Sequence, residues 1–165
     1  MRLLKTLWPL SLLATLVMSC QIGTPFKGSG YESGKVTLEG AGETVILALT
    51  QAVFDRSQRS NFFKQTMSVY DKLDDQPGYV AGSIRTEILG ENAYTMTVWK
   101  DRKSLHDFVH SRVHLNAMYM GEPSLKQMRS IVKEIPASEL PVSWSKAREY
   151  LAEKPLTSMK SLSYK

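Results

Sequence analysis

Hydrophobic and polar positions repeat along this chain with two periods, and each change of period marks an element. The stretch TVILALTQAVF at residues 44–54 is apolar almost throughout, short and rich in β-branched side chains, which predicts a central strand. Asp55 or Ser57 can cap the next element. Phe63, Met67, Tyr70 and Leu73 then recur at spacings of three or four, so residues 58–73 read as an amphipathic helix. Gln76-Pro77-Gly78 is a turn, because proline presets φ and glycine accepts a positive φ. Residues 79–89 alternate Val80, Gly82, Ile84, Thr86 and Ile88 against Tyr79, Ala81, Ser83, Arg85 and Glu87, a strand with two distinct faces. Gly90-Glu91-Asn92 turns it into residues 93–99, with Tyr94, Met96 and Val98 on one side. The pair predicts a hairpin.

Asp101 is placed to cap a second helix, whose core face carries Leu105, Phe108, Val109 and Val113. Gly121 and Pro123 stand in the order expected at a helix end. Residues 124–130 read as a further short helical segment and 131–135 as the last strand. Pro136 and Pro141 interrupt the path before Ser143 caps a final helix bearing Trp144, Ala147 and Leu151. The order β-α-β-β-α-(α)-β-α is an α+β, ferredoxin-like split βαβ plan. No internal repeat or second composition regime is present, so residues 43–165 read as one domain.

The first residues have a different pattern. Arg2 and Lys5 precede the uncharged run LWPLSLLATLVM at 7–18. That run is shorter than the ~20 apolar residues of a bilayer-spanning helix, and Pro9 interrupts it. A basic start, a short apolar run and a small residue describe a secretory signal over residues 1–19. Leu16-Val17-Met18-Ser19-Cys20 resembles the lipobox of bacterial lipoproteins, with Met18 an unusual occupant. That resemblance implies that Cys20 becomes the lipidated first residue of the mature chain. It also implies a cell-envelope protein, with Gln21 after the cysteine favouring the outer membrane, periplasmic side, in a Gram-negative cell. Residues 21–42 hold six of the ten glycines. They read as a flexible tether of roughly 25 Å.

Composition excludes more than it assigns. The chain has 165 residues, 42% of them hydrophobic, and a net charge of +5, two units of which sit on Arg2 and Lys5 in the leader. Its single cysteine allows no intrachain disulfide and no cysteine-based zinc cluster. GxGxxG, Walker, GxSxG and HExxH motifs are absent. Basic residues are dispersed, which argues against a nucleic-acid partner. Lys154, Lys160 and Lys165 form only a sparse basic tail for a membrane surface.

Thr97-Val98-Trp99-Lys100-Asp101-Arg102-Lys103-Ser104-Leu105 resembles a strand-to-helix junction of the dimeric α+β barrel superfamily, which includes antibiotic-biosynthesis monooxygenases and heme-degrading monooxygenases. Phe108-Val109-x-Ser111-x-x-His114-x-x-Ala117-Met118 and Ile135-Pro136-x-x-x-Leu140-Pro141 resemble an uncharacterised branch of it. The resemblance spans about residues 44–151 and implies a homodimer whose two sheets pack face to face. Physics supports the same expectation, since helices on one face of a sheet leave the other bare.

The only histidines, His106, His110 and His114, are spaced i, i+4, i+8. On one continuous helix they form a stripe along its flank. Such a stripe can be a solvated flank, a metal chelate or the origin of one functional ring, and no motif supplies the further ligands a metal needs. His114 matches the branch motif. Antibiotic-biosynthesis-type members oxidise phenols with O₂ and neither metal nor flavin, which requires a cavity, a base and a polar group for the anion. His114 or His110 is the candidate base, with Arg85 or Tyr94 steadying the charge. Heme-degrading members fit poorly: with Trp99 aligned to their third-strand tryptophan, their second-helix tryptophan falls on Phe108, their axial histidine on Met118, and their asparagine near Leu49 and Thr50. The resemblance thus implies a cofactor-independent oxidation of a small aromatic or quinone-like compound, with heme disfavoured. The alternative is a non-catalytic envelope lipoprotein that binds a hydrophobic ligand or heme, or serves as an interaction module.

Overall fold

Strand β4 (Thr44–Phe54) organises the molecule, because its ladder groups are satisfied on both sides. The computed structural model describes residues 20–159; the leader read at 1–19, and Lys160 and Lys165, lie outside them. Before β4 come the short strands β1 (Gln21–Gly23), β2 (Tyr31–Glu32) and β3 (Lys35–Val36). After it come α1 (Arg59–Tyr70), β5 (Tyr79–Glu87), β6 (Asn92–Trp99), α2 (Arg102–Val109), α3 (Arg112–Gly121), β7 (Leu125–Pro136), α4 (Trp144–Ala152) and β8 (Thr157–Ser158). The sheet runs β1-β5-β6-β4-β7-β8 with antiparallel neighbours throughout. Its inner four strands, with α1 joining β4 to β5 and α2–α3 joining β6 to β7, are the ferredoxin-like α+β plan that the sequence predicts. Gly78 has φ +81° in the turn before β5, the conformation expected of it. Among the described residues no helix is long and apolar enough to cross a membrane.

Two elements differ from expectation. Residues 125–130 are strand rather than helix. Leu125 and Met128 fit either period, and the far half of β4 decides between them, pairing from Phe54↔Leu125 through Thr50↔Ser130. The helix after Asp101 is in fact two. Asp101 Oδ1 accepts from the Ser104 amide at 2.7 Å, and that bond holds its carboxyl below the ordinary 3.8. The first helix stops at Val109. Ser111 turns extended (φ −68°, ψ 152°), and its hydroxyl oxygen accepts from the His114 amide at 3.3 Å. A second N-cap therefore restarts the chain on a new axis.

The two faces of the sheet bury different things. Ile46 packs with Leu73, Tyr79, Trp99 and Phe108, and Ala52 and Phe54 pack with Phe62, beneath α1, α2 and α3. On the other face Val45, Leu47, Leu49, Met96 and Val98, none more than 1% exposed, pack with Ala147 and Leu151 of α4 and with Leu140 and Val142. Phe26, Tyr31, Val36 and Leu38 complete that cover. The bare face on which a sheet-to-sheet homodimer was argued is therefore not bare. Residues between 26 and 38 and between 140 and 151 cover it.

The stretch read as a flexible tether is folded for the same reason. Lys27 and Gly82 exchange backbone bonds at 3.1 and 2.9 Å, and the Gly30 amide donates to Val80 O at 3.1 Å. Glycine is required there for close approach. A Cβ on Gly28 would lie 2.5 Å from Ala81 Cα, and one on Gly30 would lie 2.9 Å from Val80 Cα.

Candidate functional site

A cavity of about 180 Å³ lies between α1, α3 and the facing side of the sheet. Phe62, Val69, Tyr70 and Leu73 line it from α1 and the turn beyond, Ile84 from β5, Phe108 from α2, and His114, Ala117 and Met118 from α3. Its floor carries threonines. Thr50 and Thr95 stand opposite one another in the β4–β6 ladder, and Thr97 accepts from the Trp99 indole N–H at 3.0 Å. Gln65 and Thr66 also face it. An apolar chamber with a few polar groups is the usual composition of a small-molecule site. A dry apolar cavity of roughly 150 Å³ admits benzene, so this one is sized for a one- or two-ring aromatic.

His114 is the titratable imidazole in that wall. Its Nδ1 lies 3.0 Å from the carbonyl oxygen of Val109, and a carbonyl can only accept, so Nδ1 carries the proton in the neutral ring. Nε2 is left with a free lone pair. The ring also meets the edge of Phe108, centroids 5.0 Å apart, and Phe108 stacks on Trp99 at 4.7 Å. Burial is the largest influence on the imidazole and pushes its pKa below the ordinary 6.5; the Val109 carbonyl partly opposes this, and His110 adds to it. The result is a neutral, oriented acceptor in an apolar wall.

The structure separates the other sequence candidates from it. His106 and His110 are exposed and stack on each other at 4.2 Å, and His110 Nδ1 lies 2.8 Å from His106 O. The break at Ser111 ends their stripe before His114. Arg85 and Tyr94 are cross-strand partners on the opposite face of the sheet. Tyr94 packs against Trp144, and the Arg85 guanidinium lies over the same indole at 5.5 Å. Neither can steady an anion beside His114, because the sheet lies between. Tyr94 instead joins a hub around Gln51, which donates to Asn92 Oδ1 at 2.7 Å and accepts from Arg129 Nε at 2.7 Å. Burial pushes the Tyr94 phenol above its ordinary 10.0.

Sequence reasoning missed Thr50, Thr95 and Gln65; of its α1 stripe, Tyr70 and Leu73 line the cavity and Phe63 packs beside Phe54, but Met67 faces out. Phe62 is buried and Met67 is 38% exposed, so the inward face runs through Phe62, Gln65, Thr66 and Val69. A hydropathy stripe skips Gln65 and Thr66 because they are polar. Their polarity belongs to a cavity wall.

The sequence positions aligned with the heme-degrading residues hold Phe108 and Met118, neither of which offers an imidazole. Among the described residues, no three His, Cys, Asp or Glu side chains gather for a metal ion.

Comparison with known proteins agrees with this architecture. A conserved protein from Methanosarcina mazei Go1 superposes with a TM-score of 0.50 at 14% identity, over 57% of this chain and 93% of that one. A protein from Nitrosomonas europaea, provisionally named an antibiotic biosynthesis monooxygenase, gives 0.51 at 11% identity over 53% and 95%. One from Lactobacillus acidophilus NCFM, provisionally named a monooxygenase, gives 0.51 at 11% identity over 59% of this chain but only 49% of its own length. Such identities establish a shared fold and nothing finer. No curated protein matches the chain in sequence. Residues 43–137 match the sequence profile of a domain of unknown function, DUF3291. That match spans β4 to the end of β7 and excludes residues 26–38 and 140–151, which cover the second sheet face. By it, the chain belongs to the DUF3291 family.

Proposed function

We propose that this is a lipid-anchored domain, attached through Cys20, whose cavity binds a small aromatic molecule bearing a hydroxyl group. His114 Nε2 accepts a hydrogen bond from the hydroxyl, and Thr50, Thr95 and Gln65 offer polar contacts around the ring. The observation that carries this reading is the Val109–His114 bond. It fixes an uncharged imidazole as an acceptor in a wall that is otherwise apolar, where a hydrogen bond discriminates more strongly than in water. Cys20 is exposed, immediately ahead of β1, where a fatty-acyl group meets no steric obstacle from the fold.

A second reading, oxidation of that ligand by O₂ without metal or flavin, draws on the names of the structural neighbours. The substrate would supply the electrons and His114 would take its proton. An ordinary phenol titrates near 10, against an imidazole below 6.5. Full transfer is thus uphill. Binding therefore ranks first, and oxidation requires a substrate more acidic than phenol.

Titration of residues 20–165 with naphthol, monitored by the fluorescence of Trp99 behind Phe108, tests the binding site. A saturable change is expected, and none up to the solubility limit contradicts it. Labelled palmitate should enter the full-length protein and not its Cys20→Ser variant. Equal labelling of the two contradicts the anchor.

A further inference from the structure

The tip of the β5–β6 hairpin carries large apolar side chains in water. Leu89 is 80% exposed and Ile88 44%, and Ile22, on the neighbouring strand β1, is 59% exposed. They lie beside Cys20. Gln21 pairs with Glu87 and Ile22 with Thr86, and the next backbone bond runs from the Ile88 amide to Cys20 O at 2.9 Å. The cysteine is thereby fixed alongside the tip by the sheet itself.

Several polar groups at this tip already have partners within the fold. Arg56 Nη2 donates to Leu89 O, and Arg59 donates to Gly90 O at 3.4 Å and Glu87 O at 3.3 Å. The Glu87 carboxylate accepts from Asn92 Nδ2 at 3.0 Å, and Glu91 pairs with Lys126 at 3.0 Å. The desolvation cost that normally keeps a loop in water is reduced accordingly. The large apolar side chains left in water there are the trio Leu89, Ile88 and Ile22.

We infer that Leu89, Ile88 and Ile22 form a membrane-docking surface, seated in the headgroup–acyl boundary of the bilayer that holds the Cys20 acyl chains. This deepens the proposed function and rests on its lipidation of Cys20. The physical warrant is continuity. A lipidated Cys20 starts at the bilayer, and β1 begins at the next residue, so no slack chain separates anchor from sheet. The hairpin tip beside the cysteine must then meet the same interface. The tip adds buried apolar area to the acyl anchor and fixes how the domain sits on the bilayer. The domain is held against the membrane in one orientation, rather than at the end of a tether.

The test uses the full-length protein, purified from membranes and reconstituted in phosphatidylethanolamine–phosphatidylglycerol vesicles doped with acyl-brominated lipid. Leu89→Trp is compared with Asp75→Trp; the nine residues of β5 place the two positions roughly 30 Å apart. Trp99 and Trp144 are common to both variants and cancel in the difference. Bromolipid should quench the tryptophan at 89 several-fold more than the one at 75. Mass spectrometry of the N-terminal peptide reads Cys20 acylation in the same samples. Equal quenching in an acylated protein overturns the docking surface and leaves the anchor standing. An unacylated Cys20 overturns both. Cross-linking of two copies through position 89, without quenching, assigns the patch to self-association and also overturns the proposal.

Discussion

His114 is bonded through Nδ1 to the carbonyl of Val109, 3.0 Å away across the break between α2 and α3. The break and the bond form one device. The last residue of one helix supplies the acceptor, Ser111 caps the next helix, and the first turn of that helix delivers the imidazole to the cavity.

The first prediction concerns pH. A folded-state pKa below 6.5 means that, between the folded and unfolded values, the unfolded chain binds a proton that the folded one refuses. Stability therefore falls as pH drops below 6.5 and levels off beneath the folded value. The carboxyls of Asp55 and Asp101, held below 3.8, act in the same direction but only at lower pH. Urea midpoints of wild type should decline from roughly pH 7.5 to roughly pH 5.5 more than those of His114→Phe. Identical slopes would contradict a buried neutral imidazole.

Ser111→Ala removes the cap that restarts the helix. It should cost about 1 kcal/mol by denaturant unfolding and weaken naphthol binding as well, since the same hydroxyl holds the His114 amide. A loss of stability with unchanged affinity would separate the cap from the site.

The plan of the fold was legible because β4, the hairpin and the caps at Asp101 and Ser143 each carry a local signal. Two deviations share one cause, the influence of distant partners. Residues 125–130 became strand because β4 needed a partner. Residues 21–36 folded because Gly28 and Gly30 could approach Val80 and Ala81. At the site, the stripe of three histidines was read on one axis, whereas Ser111, a cap residue in plain view, divides it. Gln65 and Thr66 hid the inward face of α1 because hydropathy cannot tell a cavity wall from a solvated one.

Arg85 and Tyr94 lie across the sheet from His114, and their substitution tests that geometry. Tyr94→Phe deletes a hydroxyl whose contact with Gln51 Nε2 is 3.4 Å and should leave naphthol affinity within about twofold. A tenfold loss would place Tyr94 in the site after all.

Leu151, fully buried on the second face, tests the internal cover. Leu151→Ala should cost about 2–5 kcal/mol. With α4 in place, light scattering on residues 20–165 should give the mass of one chain, because a sheet-to-sheet pair would have to displace that helix. A dimer in the alanine variant that is absent from wild type would show that the face is exchangeable.

The central claim is that His114 recognises a hydroxyl inside the apolar cavity, and a two-by-two binding measurement addresses it most directly. Naphthol and naphthalene differ by that hydroxyl, and wild type and His114→Leu differ by its acceptor. Calorimetric titration should show naphthol binding wild type about three- to tenfold more tightly than it binds the variant, the range of one net hydrogen bond. Naphthalene should bind both alike or favour the leucine. Equal loss for both ligands, or none for either, would contradict the account.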